Sequence, residues 1–149
     1  VTELDPRIRI AAAAREEEGN ADASRYWLDV LVPPQAHPVD ASNRPLAWCG
    51  GFALWCLHQA GAAGGVSWIP GRGFLWHLRA TKTPRVGDVA YRNANQHHAV
   101  VVEVGDGWVT TIDGNSGPCA GGRVTLHERT PVDHWTAFYD VEPLLQEAA

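Results

Sequence analysis

His98-Ala99-Val100-Val101-Val102-Glu103-Val104-Gly105-Asp106-Gly107-Trp108-Val109-Thr110-Thr111-Ile112-Asp113-Gly114-Asn115 is the stretch that decides the fold. Two runs rich in β-branched residues flank Gly105-Asp106-Gly107, and Asp-Gly is the strongest short-range sign of a β-hairpin. With Asp106-Gly107 as a two-residue turn, Gly105 pairs with Trp108 and His98 ends opposite Asn115. With Gly105-Asp106 as the turn, His98 lies opposite Asp113 instead. Asp113 and Asn115 are two apart and share a face, as do directly opposed residues. Either register therefore brings a carboxylate and an amide to one imidazole, while a three-residue loop would shift the pairing.

Outward from this hairpin, strands are expected at Asp88–Tyr91, His98–Val104, Trp108–Asp113, Arg123–His127 and Thr136–Val141, separated by Gly, Asn, Asp and Pro. The earlier half of the chain reads as helices. Asp5 can cap a first helix, Pro6 suits its first position, and the Ala11–Ala14 run has high helix propensity, so a helix is expected over Asp5–Glu18. A second is expected over Ser24–Val32 before Pro33-Pro34. After a proline-rich loop, residues 45–61 hold an apolar helix on which Cys49, Phe52, Ala53, Cys56 and Ala60 share a face that would pack on the sheet. Phe74–Arg79 reads as a helical turn. Helices first (1–32, then 45–61) and consecutive strands after (84–141) give an α+β layout with an antiparallel sheet of about five strands, in one domain over 1–149.

Composition narrows the function classes. A 45% hydrophobic and 19% charged chain is an ordinary globule. A net charge of −5 argues against nucleic acid or an anionic membrane as main partner. No apolar run approaches the roughly 20 residues that span a bilayer, and no signal-peptide pattern is visible. The three cysteines fit neither a disulfide scaffold nor a zinc knuckle, and the seven histidines form no metal motif, so neither metal nor cofactor is expected. Seven tryptophans suggest a packed core and an aromatic-walled groove.

The chemistry converges on Cys49. A cysteine in a helix's first turn meets unpaired N–H groups and the positive end of the macrodipole, which favour a thiolate. His98 can take its proton and return one to a leaving amine, and Asp113 or Asn115 can hold the other ring nitrogen. Backbone N–H groups of Cys49 and Gly50 are candidates for an oxyanion site, and Gly50 and Gly51 leave room for a substrate backbone. Of the adjacent His97 and His98, which point to opposite faces of a strand, the register favours His98. Trp48 and Trp108 are candidates for the substrate groove, with core packing as the rival reading. Cys56 reads as a small buried hydrophobe, Cys119 as a free thiol, and His58, His77, His127 and His134 as surface or structural.

Several of these stretches resemble the CHAP-type cysteine amidohydrolases and peptidases. Trp48-Cys49-Gly50-Gly51-Phe52 and Trp55-Cys56-Leu57 resemble "WCAxFVxWCL", and Gly87-Asp88-Val89 resembles "GD[IV]". His98-Ala99-Val100-Val101 resembles "HVAVV", and Thr111-Ile112-Asp113-Gly114-Asn115-Ser116-Gly117 resembles "TIEGNTG". Glu18-Gly19-Asn20 and Tyr26 echo a first-helix exit common in that family.

The resemblance implies a papain-like fold that cleaves an amide bond of peptidoglycan at the bacterial cell wall, either N-acetylmuramoyl–L-alanine or one in the stem or cross-bridge peptides. It carries over Cys49 as nucleophile, His98 as base, Asp113 as carboxylate and Asn115 as the fourth polar member. The partner it implies is a muropeptide, with no nucleic acid or membrane and a monomer favoured. Asp113 stands where the family usually has Glu, which is one methylene longer. The calcium-loop pattern DxDxxYG of some members is absent, so no metal is expected. An amidase acting on a non-wall peptide conjugate and a non-catalytic wall-binding module are the rival readings.

Overall fold

A computed structural model of the chain describes residues 5–64, 66–68, 75, 78–116 and 122–146, apart from the side chains of residues 115, 116 and 146. Three helices come first: α1 (Pro6–Glu16), α2 (Ser24–Val30) and α3 (Cys49–Gln59). The strands follow as β1 (Ala80–Thr81), β2 (Val89–Arg92), β3 (His97–Gly105), β4 (Trp108–Ser116), β5 (Arg123–Pro131) and β6 (Ala137–Tyr139), and α4 (Glu142–Gln146) comes last. The strands form one antiparallel sheet in the order β1-β6-β2-β3-β4-β5. The class is α+β as the sequence implies, with six strands rather than five. The additional strand is the two-residue β1, which pairs with β6 and is too short to carry a periodic pattern. The helices end earlier than expected, at Glu16, Val30 and Gln59. The expected turn over Phe74–Arg79 falls largely outside the described residues.

The N-terminal signals of α1 act as read. Asp5 accepts from the Arg7 N–H at 2.8 Å, and Pro6 fills the first position. Such a cap contributes about 1 kcal/mol. Helix α3 is buried from Cys49 through Leu57 rather than on one face. It packs on α1, α2, β3 and β4, and α1 also meets β3. A helix apolar all round belongs in such a layer, and each large side chain fully withdrawn from water there contributes about 1.5–3 kcal/mol.

The hairpin turn is the Asp106-Gly107 one, with Gly105 paired to Trp108 and Val104 to Val109. A bulge follows, because the register shifts between Val101 and Glu103, so that Val101 pairs with Thr111 and Val100 with Ile112. One residue is thereby lost from the count, and a slip of one moves every later side chain to the other face. Val100 and Ile112 face α3 in the main core. Ala99 and Val101 face a second cluster with Ala90, Val109, Trp135 and Phe138. By alternation His98 lies on the α3 side, and His97 and Asp113 on the other.

Two polar locks tie the layers together. Arg7, buried on α1, donates from Nη1 to Asp88 Oδ1 (2.7 Å) and Val86 O (3.1 Å), and from Nη2 to Asp140 (3.0 Å) and Glu142 (3.2 Å). Gly87 has φ +91°, and a Cβ there would lie 3.1 Å from Arg7 Cα, so the Gly-Asp pair serves this junction. At the exit of α1, Tyr26 OH donates to Glu17 (2.8 Å) and accepts from Asn20 Nδ2 (2.7 Å), while Arg25 pairs with Glu17.

Candidate active site

Cys49 opens α3, whose N-cap residue Trp48 makes no side-chain cap, so the first-turn N–H groups lie beside the thiol. Its sulfur is buried at the start of β3. Sγ stands 3.7 Å from His98 Nδ1 and 3.9 Å from the carbonyl oxygen of Gln96, the left-handed residue (φ +52°) that precedes the strand. Lying at the strand's end, the sulfur is reached from both faces of the sheet. Burial pushes the thiol pKa up, but hydrogen bonds with His97 and His98 and the charges of those rings outweigh it and bring the value down to about 6.

The two adjacent histidines are held differently. His97 Nε2 is 2.7 Å from Asp113 Oδ2, and the ring stacks on Trp135 (6.5 Å, 16°). Burial alone would lower the His97 pKa, yet hydrogen bonds to Asp113 and to Cys49 raise it to about 10. His97 is thus the imidazole held by the carboxylate, while the short sulfur contact is that of His98. His98, 9% exposed, lies between the rings of Tyr91 (5.0 Å, 68°) and Trp68 (6.0 Å, 66°), both edge-on.

Asp113 is 2% exposed. Among the described residues its side-chain hydrogen bonds go to two imidazoles, His97 and His127, the latter with Nε2 at 3.3 Å from Oδ1 and 3.2 Å from Oδ2. Burial works against its charge, but these two partners hold its pKa below the usual carboxylate value. The expected juxtaposition of Asp113 with His98 gives way to Asp113 with His97, and the β3 bulge is the physical reason. Asn115 lies in β4, with its side chain outside the described residues.

The remaining candidates separate. Gly50 is at the site, but a Cβ there would come within 2.3 Å of the Trp68 ring and 3.2 Å of His98 Cε1. Its lack of a side chain lets an aromatic wall close over the start of α3. Trp48 is core: it stacks on Tyr26 (5.7 Å, 27°) and covers Gly114. Trp108 lies at the hairpin end under Arg129, at the opposite end of β3 from His97, about 25 Å along the strand. Distance from the thiol removes it from the groove. Cys56 is fully buried, and burial pushes its thiol pKa well up, so it is inert. Cys119 and His77 fall outside the described residues.

Sequence reasoning passed over His97 and His127. For His97 a signal existed, because "HVAVV" also lies on His97-His98-Ala99-Val100-Val101, with alanine in the same third place. His127 had none, since its approach to Asp113 depends on a further register shift between β4 and β5. Among the described residues no group of three or more His, Cys, Asp or Glu could hold a metal ion, and no helix is long and apolar enough to cross a membrane.

Comparison with protein families gives a match to the CHAP domain over residues 40–115, about half of the chain, from the loop before Cys49 to Asn115. Comparison with curated proteins returned no match. Comparison with solved structures returned none either.

Proposed function

The chain belongs to the CHAP domain family, whose members are generally amidases or peptidases, and from that premise we propose that it hydrolyses an amide bond of peptidoglycan through Cys49, His97 and Asp113 on a papain-like fold. The observation that carries this reading is the His97 imidazole 2.7 Å from the buried Asp113 carboxylate, beside a thiol whose pKa its interaction helps lower to about 6.

At neutral pH the values of about 6 for Cys49 and about 10 for His97 make the pair a thiolate and an imidazolium. The thiolate attacks the amide carbonyl carbon, and the developing oxyanion is met by first-turn N–H groups of α3 such as those of Cys49 and Gly50. His97 passes its proton to the amide nitrogen, the C–N bond breaks, and the amine leaves a thioester on Cys49. The now neutral imidazole takes a proton from water, whose oxygen attacks the thioester, and the acid product and the thiolate–imidazolium pair are restored. Asp113 holds Nε2–H throughout and so leaves Nδ1 for the sulfur. The muropeptide is the substrate, the cell wall the place of action, and Trp68 with Tyr91 a wall of the groove.

A second reading makes His98 the base, and the 3.7 Å contact of its Nδ1 with Cys49 Sγ favours it. Release of soluble muropeptides from purified sacculi by His97→Ala and His98→Ala separates the two. The first reading requires the greater loss at His97, the second at His98. Sacculi left intact by the wild type, with turnover of a small peptide conjugate, would favour an amidase on a non-wall substrate. Sacculi bound without turnover would favour a binding module.

A further inference from the structure

We propose that His127 is a positioning residue of this site, holding Asp113 from the neighbouring strand so that the carboxylate keeps its aim at the His97 ring. The inference rests on the reading that His97 and Asp113 serve Cys49. Asp113 lies on β4, His97 on β3 and His127 on β5, so three neighbouring strands each contribute one member. Thr111 pairs with His127 and Asp113 with Thr125, which puts His127 and Asp113 on one face. The carboxylate takes Nε2 of His97 on one oxygen at 2.7 Å and sits 3.2–3.3 Å from Nε2 of His127 through both.

A rotation of the Asp113 carboxylate about its last side-chain bond would carry Oδ2 off the His97 ring. The His127 ring nitrogen bears on both oxygens, 3.2 Å from the Oδ2 that His97 holds and 3.3 Å from Oδ1, and so opposes that rotation. Among the described residues, Asp113 and His97 across the sheet and His134 from the turn before β6 bear on His127. The Asp113 hydrogen bond raises the pKa of His127 against burial, while the charge of His97 works the other way. Its side chain is 41% exposed, so its own proton exchanges with bulk water.

The test compares His127→Phe with His127→Gln, the amide keeping an N–H donor without the charge. In His127→Phe, kcat on a defined muropeptide should fall about 10- to 100-fold with KM little changed, the scale of losing an outer hydrogen bond to a functional group. His127→Gln should recover most of that rate. In His127→Phe the NMR titration of His97 should move to lower pH, because a carboxylate that loses its aim gives that ring a weaker hydrogen bond, and His127→Gln should restore it. The NMR titration and the pH dependence of Cys49 alkylation need no substrate, so they judge His127 even if the peptidoglycan reading fails. Wild-type kcat and an unmoved His97 titration in His127→Phe would overturn the proposal. So would a loss in both variants that follows a lowered Tm with His97 titrating as in wild type, because His127 would then be structural only.

Discussion

Asp113 Oδ2 stands 2.7 Å from His97 Nε2 on the sheet face that carries Ala99 and Val101, while α3 covers the opposite face with His98 beneath it. Cys49 meets both rings only because its sulfur lies at the very start of β3, beside the Gln96 carbonyl. His97→Ala is therefore expected to lower kcat by about 10²–10⁴-fold, the usual contribution of a positioned acid–base group. His98→Ala should cost less, within about tenfold, since the 10²–10⁴ scale belongs to the base itself. Steady-state kinetics on one muropeptide checks both, and the reverse order would assign the base to His98.

The thiol should react as an anion well below the ordinary range of cysteine. As pH rises through about 6 the Cys49 thiolate forms, and as it rises through about 10 His97 loses the proton that the leaving amine needs. Activity should rise through the first value and fall through the second. Iodoacetamide modification of Cys49 should rise through about 6 in the wild type. In His97→Ala it should rise nearer 9, the ordinary value. An alkylation midpoint near 9 in the wild type would remove the ion pair.

Gly50→Ala tests the aromatic wall. The added Cβ would overlap the Trp68 ring at 2.3 Å and press on His98 at 3.2 Å, so the ring must leave its place over the start of α3. Overpacking of this kind typically costs about 1–3 kcal/mol of stability. The rate should fall further than that cost explains at a temperature where the variant is fully folded. Thermal unfolding and kinetics measured side by side separate the two.

Away from the thiol, Arg7→Ala should cost about 3–5 kcal/mol, because it leaves Asp88 (1% exposed) without its buried counter-charge. Asp88 keeps its hydrogen bonds from the Arg85 and Val141 N–H groups, which limits the loss. Urea unfolding monitored by tryptophan fluorescence gives the number. Cys49 alkylation should keep its pH dependence in the folded variant.

The elements were legible where local chemistry determines them. Asp5-Pro6 started α1, the apolar run after Cys49 made a buried helix, and Asp106-Gly107 made the turn that pairs Gly105 with Trp108. What could not be read was the bulge between Val101 and Glu103, because Val100, Val101 and Val102 offer no local mark of where the count slips. That one residue carries Asp113 from the face of His98 to that of His97. The approach of His127 to Asp113 was hidden for the same reason, by a second shift in the β4–β5 ladder. The two-residue β1 and five-residue α4 are too short to show a period. Trp48 and Trp108 looked alike in sequence. Only packing separates them, one stacked on Tyr26 in the core and the other under Arg129 at the hairpin end.

The central claim is that Cys49 opens an amide bond of the cell wall. Mass spectrometry of a defined muropeptide incubated with wild type and with Cys49→Ala tests it most directly. The account predicts that the wild type yields two fragments whose masses sum to the substrate plus one water, with a new carboxylate (the lactyl one if the muramoyl–alanine bond is cut) and a new amine at a single amide, and that Cys49→Ala yields none. Equal cleavage by Cys49→Ala would contradict the account, as would a wild-type cut at a glycosidic bond.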